Sequence, residues 1–118
     1  MQVLFESRDP QAAPMRDWAE RRVRFVMRRL SGGLLRARVQ LSDDNGPRGG
    51  VDKCCHLALA ARDGRVVAVS TRAAHWRAAV DLALARAARS LLRHWQRQHS
   101  VQQRPAGAQR RQPLEVPS

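Results

Sequence analysis

The sequence predicts an α+β domain of order β-α-β-β-β-α, with one four-stranded sheet and two helices packed on one of its faces. Three observations carry that prediction. Apolar residues recur every three or four positions in two segments, 14–30 and 74–98, as amphipathic helices require. The stretches before and between them alternate apolar and polar residues, the period of half-buried strands. The 118-residue length suits one hydrophobic core and not two. Strands that expose alternate polar residues and helices with one apolar side bury both surfaces together when the helices share a face of the sheet.

Residues 2–6 (QVLFE) form the first strand, and Pro10 stops it by removing a backbone donor. Met15, Ala19, Val23, Val26, Met27 and Leu30 then mark the first helix. Pro14 suits its first turn, Asp17 and Glu20 complement its positive end, and Gly32-Gly33 end it. In residues 36–42, Ala37, Val39 and Leu41 share one face, while Arg36, Arg38 and Gln40 share the other. The turn-rich segment DDNGPRGG (43–50) leads into a strand over 53–61, with Cys55, Leu57, Leu59 and Ala61 on one face. A tight Asp-Gly turn at 62–65 precedes a β-branched strand over 66–71. Trp76, Val80, Ala83, Leu84, Ala87, Leu91 and Trp95 define the second helix, over 74–98. Residues 99–118, rich in Gln, Pro and Arg, are expected to form a disordered basic tail outside the 1–98 domain.

Twenty-two basic against ten acidic residues give a net charge of +12, and all the basic residues except Lys53 are arginine. Such an excess implies an anionic partner, and arginine's planar fork matches phosphate. On the second helix Arg86, Arg89, Arg93 and Arg97 fall within about 80° of arc, well away from the apolar side. On the first, Arg21, Arg24 and Arg28 form a similar stripe, with Arg22 and Arg29 at its flank. Neighbouring like charges on a helix repel, so an ordinary solvated face interleaves glutamate. These faces do not, and they point to structured RNA in a double-stranded-RNA-binding-domain-like arrangement. Arg48 and Lys53 near the long hairpin are placed to reach a phosphate, and His94 to add a contact. Trp18 and Phe25 either pack or stack on bases.

Other chemistry finds little support. Cys54, Cys55 and His56 bring zinc-binding side chains together, but adjacent strand residues face opposite ways, so no tetrahedral set closes and no metal is expected. Neighbouring cysteines make a strained disulfide, and both are expected to be reduced. The Gly46–Gly50 segment lacks the Lys-Ser/Thr of a nucleotide loop. No acid-base pair or nucleophile constellation is evident, so neither an enzyme, a small-molecule substrate nor a cofactor is expected. No apolar run approaches the ~20 residues of a membrane span, and no secretory leader pattern opens the chain, so a cytoplasmic protein without membrane association is expected.

Three segments bear on family. Met1-Gln2-Val3 with Ser7-Arg8, Met15-Arg16-Asp17-Trp18-Ala19 followed by Arg22-Val23, and Ala78-Ala79-Val80-Asp81-Leu82-Ala83 running on to Arg86, Arg89 and Arg93 together resemble the short ribosome-hibernation factors. That family is also described as ribosome-associated inhibitors and sigma-54 modulation proteins. The likeness spans about residues 1–98. It implies a non-enzymatic protein, monomeric off the ribosome, that binds the small ribosomal subunit and its rRNA and blocks the mRNA and tRNA path under stress. By position it assigns rRNA contacts to Arg8, Arg22, Arg28, Arg86, Arg89, Arg93 and His94. The sequence departs from the family in its longer, glycine-rich hairpin and in Phe25, where a basic residue is common. It also lacks a counterpart of the long members' C-terminal dimerisation domain. The residues by themselves also allow a general structured-RNA-binding domain acting off the ribosome, or a basic module for an acidic protein that uses the tail.

Overall fold

Four strands form one mixed sheet in the order β1-β2-β3-β4: β1 (Gln2–Ser7), β2 (Leu34–Asp43), β3 (Lys53–Ala61) and β4 (Val66–Ala73). β1 runs parallel to β2, and the β2–β3 and β3–β4 pairs are antiparallel. A parallel neighbour demands a crossover connection, which is α1 (Arg16–Val26); α2 (Trp76–Gln103) follows β4. The predicted α+β order therefore holds in this computed structural model, which describes residues 1–44 and 52–103, with side chains as far as Arg97.

Alternation along the strands sends one set of side chains to the helices. Ala37, Val39 and Leu41 of β2, Cys55, Leu57, Leu59 and Ala61 of β3, and Val67 of β4 are buried against Val23, Met27, Val80, Ala83, Leu84, Ala87 and Leu91. Each fully buried Leu side chain contributes about 1.5–3 kcal/mol, and α1 and α2 are held to the sheet by this shared core. The cross-strand register lays the other set on an uncovered face in rows: Leu4, Arg38, Ala58 and Ala68 in one, Gln40, His56 and Ser70 in the next. Two polar groups inside the helix layer hydrogen-bond to backbone carbonyls. The Thr71 hydroxyl donates to the Ala79 carbonyl at 2.7 Å, and the Trp76 indole N–H donates to the Ser42 carbonyl at 3.0 Å.

Two elements differ from the sequence pattern. The first helical segment is split: Asp9 accepts a hydrogen bond from the Gln11 amide and starts a 3-10 turn over Pro10–Met15, and α1 covers only Arg16–Val26 before further turns lead to Gly33. Arg28 and Arg29 thus lie beyond the helix and not along it. At the other end, α2 continues to Gln103, into the segment whose composition reads as tail. Residues 45–51, with Arg48, and 104–118 lie outside the described residues. The β3–β4 turn has one left-handed residue, Gly64 (φ 91°), and is closed by Ala61 N–H donating to Arg65 C=O at 2.8 Å. That is the three-residue hairpin pattern, where the Asp-Gly signal alone suggests a two-residue one.

Gly33 lies closely against the Trp95 ring. A Cβ there would stand 2.6 and 2.7 Å from two atoms of the Trp95 ring, whose indole N–H donates to Asp63 at 3.3 Å. Gly33→Ala is therefore expected to dislodge Trp95 and destabilise the fold by about 1–3 kcal/mol. Chemical denaturation would register the loss, and a red-shifted tryptophan emission would locate it; unchanged emission would mean that the ring is not packed there.

Cys55 carries a stability consequence through pH. Burial, with a smaller contribution from the neighbouring Cys54 thiol, pushes the Cys55 pKa up to about 12. The unfolded chain loses this proton above about pH 8.5 while the folded chain keeps it, so the unfolded state binds fewer protons and stability falls as pH rises from there. Lys53, raised by its hydrogen bond to Asp43, acts in the same direction at higher pH. Denaturation midpoints taken from pH 7.5 to 10 should decline, and the decline should be shallower in Cys55→Ala. Equal slopes in the two proteins would contradict the assignment.

Candidate nucleic-acid interface

The arginines of α2 sit where the helix repeat puts them. Arg86, Arg89, Arg93 and Arg97 are exposed, and none has a carboxylate within ion-pairing distance among the described residues. Buried Ala83, Ala87 and Leu91 fix the opposite side of the helix against the sheet. The stripe also has a lateral direction. Arg86 lies at the β4 edge beside Ser70, Thr71 and Arg72, whereas Arg77 and Asp81 occupy the flank turned toward α1.

Two contacts join the helices. The Arg22 Nε donates to Asp81 Oδ1 at 2.8 Å, and the Arg77 guanidinium lies 5.2 Å from the centroid of the Trp18 ring. Each helix advances four residues between the two contacts, so α1 and α2 run side by side in the same direction. The α2 stripe is consequently on the flank away from α1; exposed Leu82, four residues before Arg86, extends its line, and Phe25 and Leu92 are exposed as well.

On α1 the predicted residues divide. Arg21 and Arg29 are exposed. Arg22 is half-buried and held by Asp81 in the seam between the helices. Arg24 donates to the Met1 carbonyl at 3.1 Å, on the side away from α2. Arg28 folds back over the end of α1, donating to the Phe25 carbonyl at 2.7 Å and stacking 4.3 Å from the centroid of that ring. These guanidiniums have further donors to offer, because each carries five N–H groups.

Three predicted contacts lie elsewhere. Arg8 is on the uncovered sheet face, where its guanidinium faces the Gln40 side-chain amide and borders a depression with Arg38, His56 and Ser70. The structure does not bring it together with the helix stripes. Lys53 is turned inward: its ammonium is 2.5 Å from Asp43 and 3.8 Å from Asp52, 5.0 Å from the Trp76 ring centroid, and its side chain is 16% exposed. Its task is to neutralise two buried carboxylates, in place of the phosphate contact that its position in the hairpin suggests. His94 is likewise 16% exposed and sits 3.4 Å from Asp63, beside Trp95 at the β3–β4 turn, because its position on α2 is on the inward side. The Arg65 amide first, with Trp95 and His94, holds the Asp63 carboxyl below the usual carboxylate range. Arg48 falls outside the described residues.

Arg77 and Asp81 enter the site without having been marked by charge patterning. Their four-residue spacing on one flank was readable, but that this flank meets α1 was not. Among the described residues no three His, Cys, Asp or Glu side chains gather as a metal site, and no helix is long and apolar enough to cross a membrane. Cys54 and Cys55 are both buried and form no disulfide. The chain matches no protein-family model, and no curated protein matches it at a significant level.

Proposed function

We propose that this protein is a ribosome-associated hibernation factor, which binds small-subunit rRNA through its helix layer and silences translation by occupying the mRNA and tRNA path. The observation that carries the reading is the α2 stripe: four exposed arginines on one flank, without carboxylate partners among the described residues. Such a row is unfavourable in water and becomes favourable against a line of phosphates, where each contact releases counterions. The α1 arginines add a second basic track, and the resemblance of the 1–98 segment supplies the ribosome as the RNA. Binding acts by occupancy, with arginine forks on phosphate oxygens setting position.

The reading is tested by co-sedimentation with purified small subunits across a salt series. Tight association at low salt, with affinity falling steeply and linearly on a log–log scale, is expected. Absence of co-sedimentation at low salt, or binding indifferent to salt, would remove it. A plain RNA duplex added as competitor decides the neighbouring reading: equal displacement by duplex would make the protein a general structured-RNA binder acting off the ribosome.

A further inference from the structure

We infer that the cleft between Trp18 and Phe25 on the outer side of α1 takes a single unpaired RNA base, so that this face selects folded RNA with extruded bases over uninterrupted duplex. The inference rests on the RNA reading above and adds the structural class of RNA preferred, which phosphate contacts alone do not set.

Trp18 and Phe25 are seven residues apart, two turns of α1, about 10.5 Å along its axis. Arg21 and Arg22 lie between them, and these four side chains line an open cleft of about 200 Å³. Phe25 is 55% exposed and is the only exposed Phe or Trp ring among the described residues. The rings are also held. Arg28 stacks against Phe25 at 4.3 Å while bonded to its carbonyl; Arg22, fixed by Asp81, approaches the ring at 5.8 Å; Arg77 lies over Trp18 at 5.2 Å. An open cleft lined by two aromatic rings and two arginines fits a nucleobase with its flanking phosphates: the base stacks on a ring, and the guanidiniums of Arg21 and Arg28 serve the phosphates. A continuous A-form duplex keeps its bases stacked inward and offers the ring nothing to stack on, whereas loops and bulges splay bases out.

The test uses the full chain and two RNA hairpins of equal stem composition, each closed by a non-nucleotide linker so that no loop base is unpaired, one carrying a single bulged 2-aminopurine. Wild-type protein should prefer the bulged hairpin by about tenfold, with quenching of the 2-aminopurine on binding. Phe25→Ala should abolish preference and quenching while leaving duplex affinity and salt slope unchanged, and Phe25→Trp should retain both. The inference is overturned if wild-type protein shows no preference, or if Phe25→Ala weakens both hairpins equally. Failure of wild-type protein to bind either hairpin at low salt would instead overturn the RNA reading itself.

Discussion

Reversing three charges on α2 together, Arg86→Glu, Arg89→Glu and Arg93→Glu, is expected to lower small-subunit affinity on the order of a thousandfold at physiological salt, with the fold intact. A hydrogen bond to a charged group contributes about 1.5–3 kcal/mol, so losing three reaches that size before repulsion between carboxylate and phosphate is counted. The salt dependence should flatten as well, by about 0.9 in log–log slope for each phosphate contact removed. The side chains are exposed and without carboxylate partners among the described residues, and three glutamates at the same spacing repel much as the arginines did, so thermal unfolding should move little. Arg36→Glu combined with Arg65→Glu changes exposed charges off the helix layer and serves as the control. Should this pair weaken binding as much as the triple variant, net charge and not the α2 stripe would be the determinant. Filter binding across a salt series measures both quantities.

Leu91→Ala is expected to cost about 3–4 kcal/mol of folding stability, the largest loss from a single substitution proposed for this protein. Leu91 is fully buried in the core, one turn before Trp95 and between the arginines of the stripe. Truncation removes transfer free energy and leaves a cavity that the rigid sheet beneath collapses into only in part. For a domain of about 100 residues each kcal/mol lowers the melting temperature by roughly 4–8 °C, so calorimetry should show a fall of well over 10 °C. Where the variant is still folded its RNA affinity should fall only modestly, because the stripe residues are unchanged. A shift of only a few degrees would show that the outer half of α2 is not anchored through this position.

The two results separate what holds α2 in place from what α2 presents. Arg22 joins both roles: paired with Asp81, it ties the helices together and stands at the edge of the cleft that Phe25 and Trp18 form. Its partner lies 59 positions away in sequence, so the dual role appears only in the folded chain.

Periodicity was a good guide wherever burial dominates. The β3 face of Cys55, Leu57, Leu59 and Ala61 and the α2 face of Val80, Ala83, Leu84, Ala87 and Leu91 are buried as alternation and helical spacing require. The pattern was a poorer guide to where helices end. Met27 and Leu30 continue the apolar spacing of α1 beyond its last residue, since a buried side chain in a turn satisfies the same spacing as one in a helix. It was poorest for individual charged groups. Lys53 and His94 read as surface contacts until their carboxylate partners, Asp43, Asp52 and Asp63, are located.

By itself the sequence determined the β-α-β-β-β-α order, the face that each strand turns to the helices and the outward set of the α2 arginines. Each of these follows from hydrophobic burial acting on a local repeat of two or 3.6 residues. Tertiary structure alone decided that α1 and α2 run alongside each other in the same direction, that the α2 stripe lies on the flank away from α1, and that Arg8 stands on the opposite face of the sheet. It also decided which basic groups turn inward. Those outcomes depend on pairings across long sequence separations, where charge and hydrogen bonding select the partner and no local period encodes the choice.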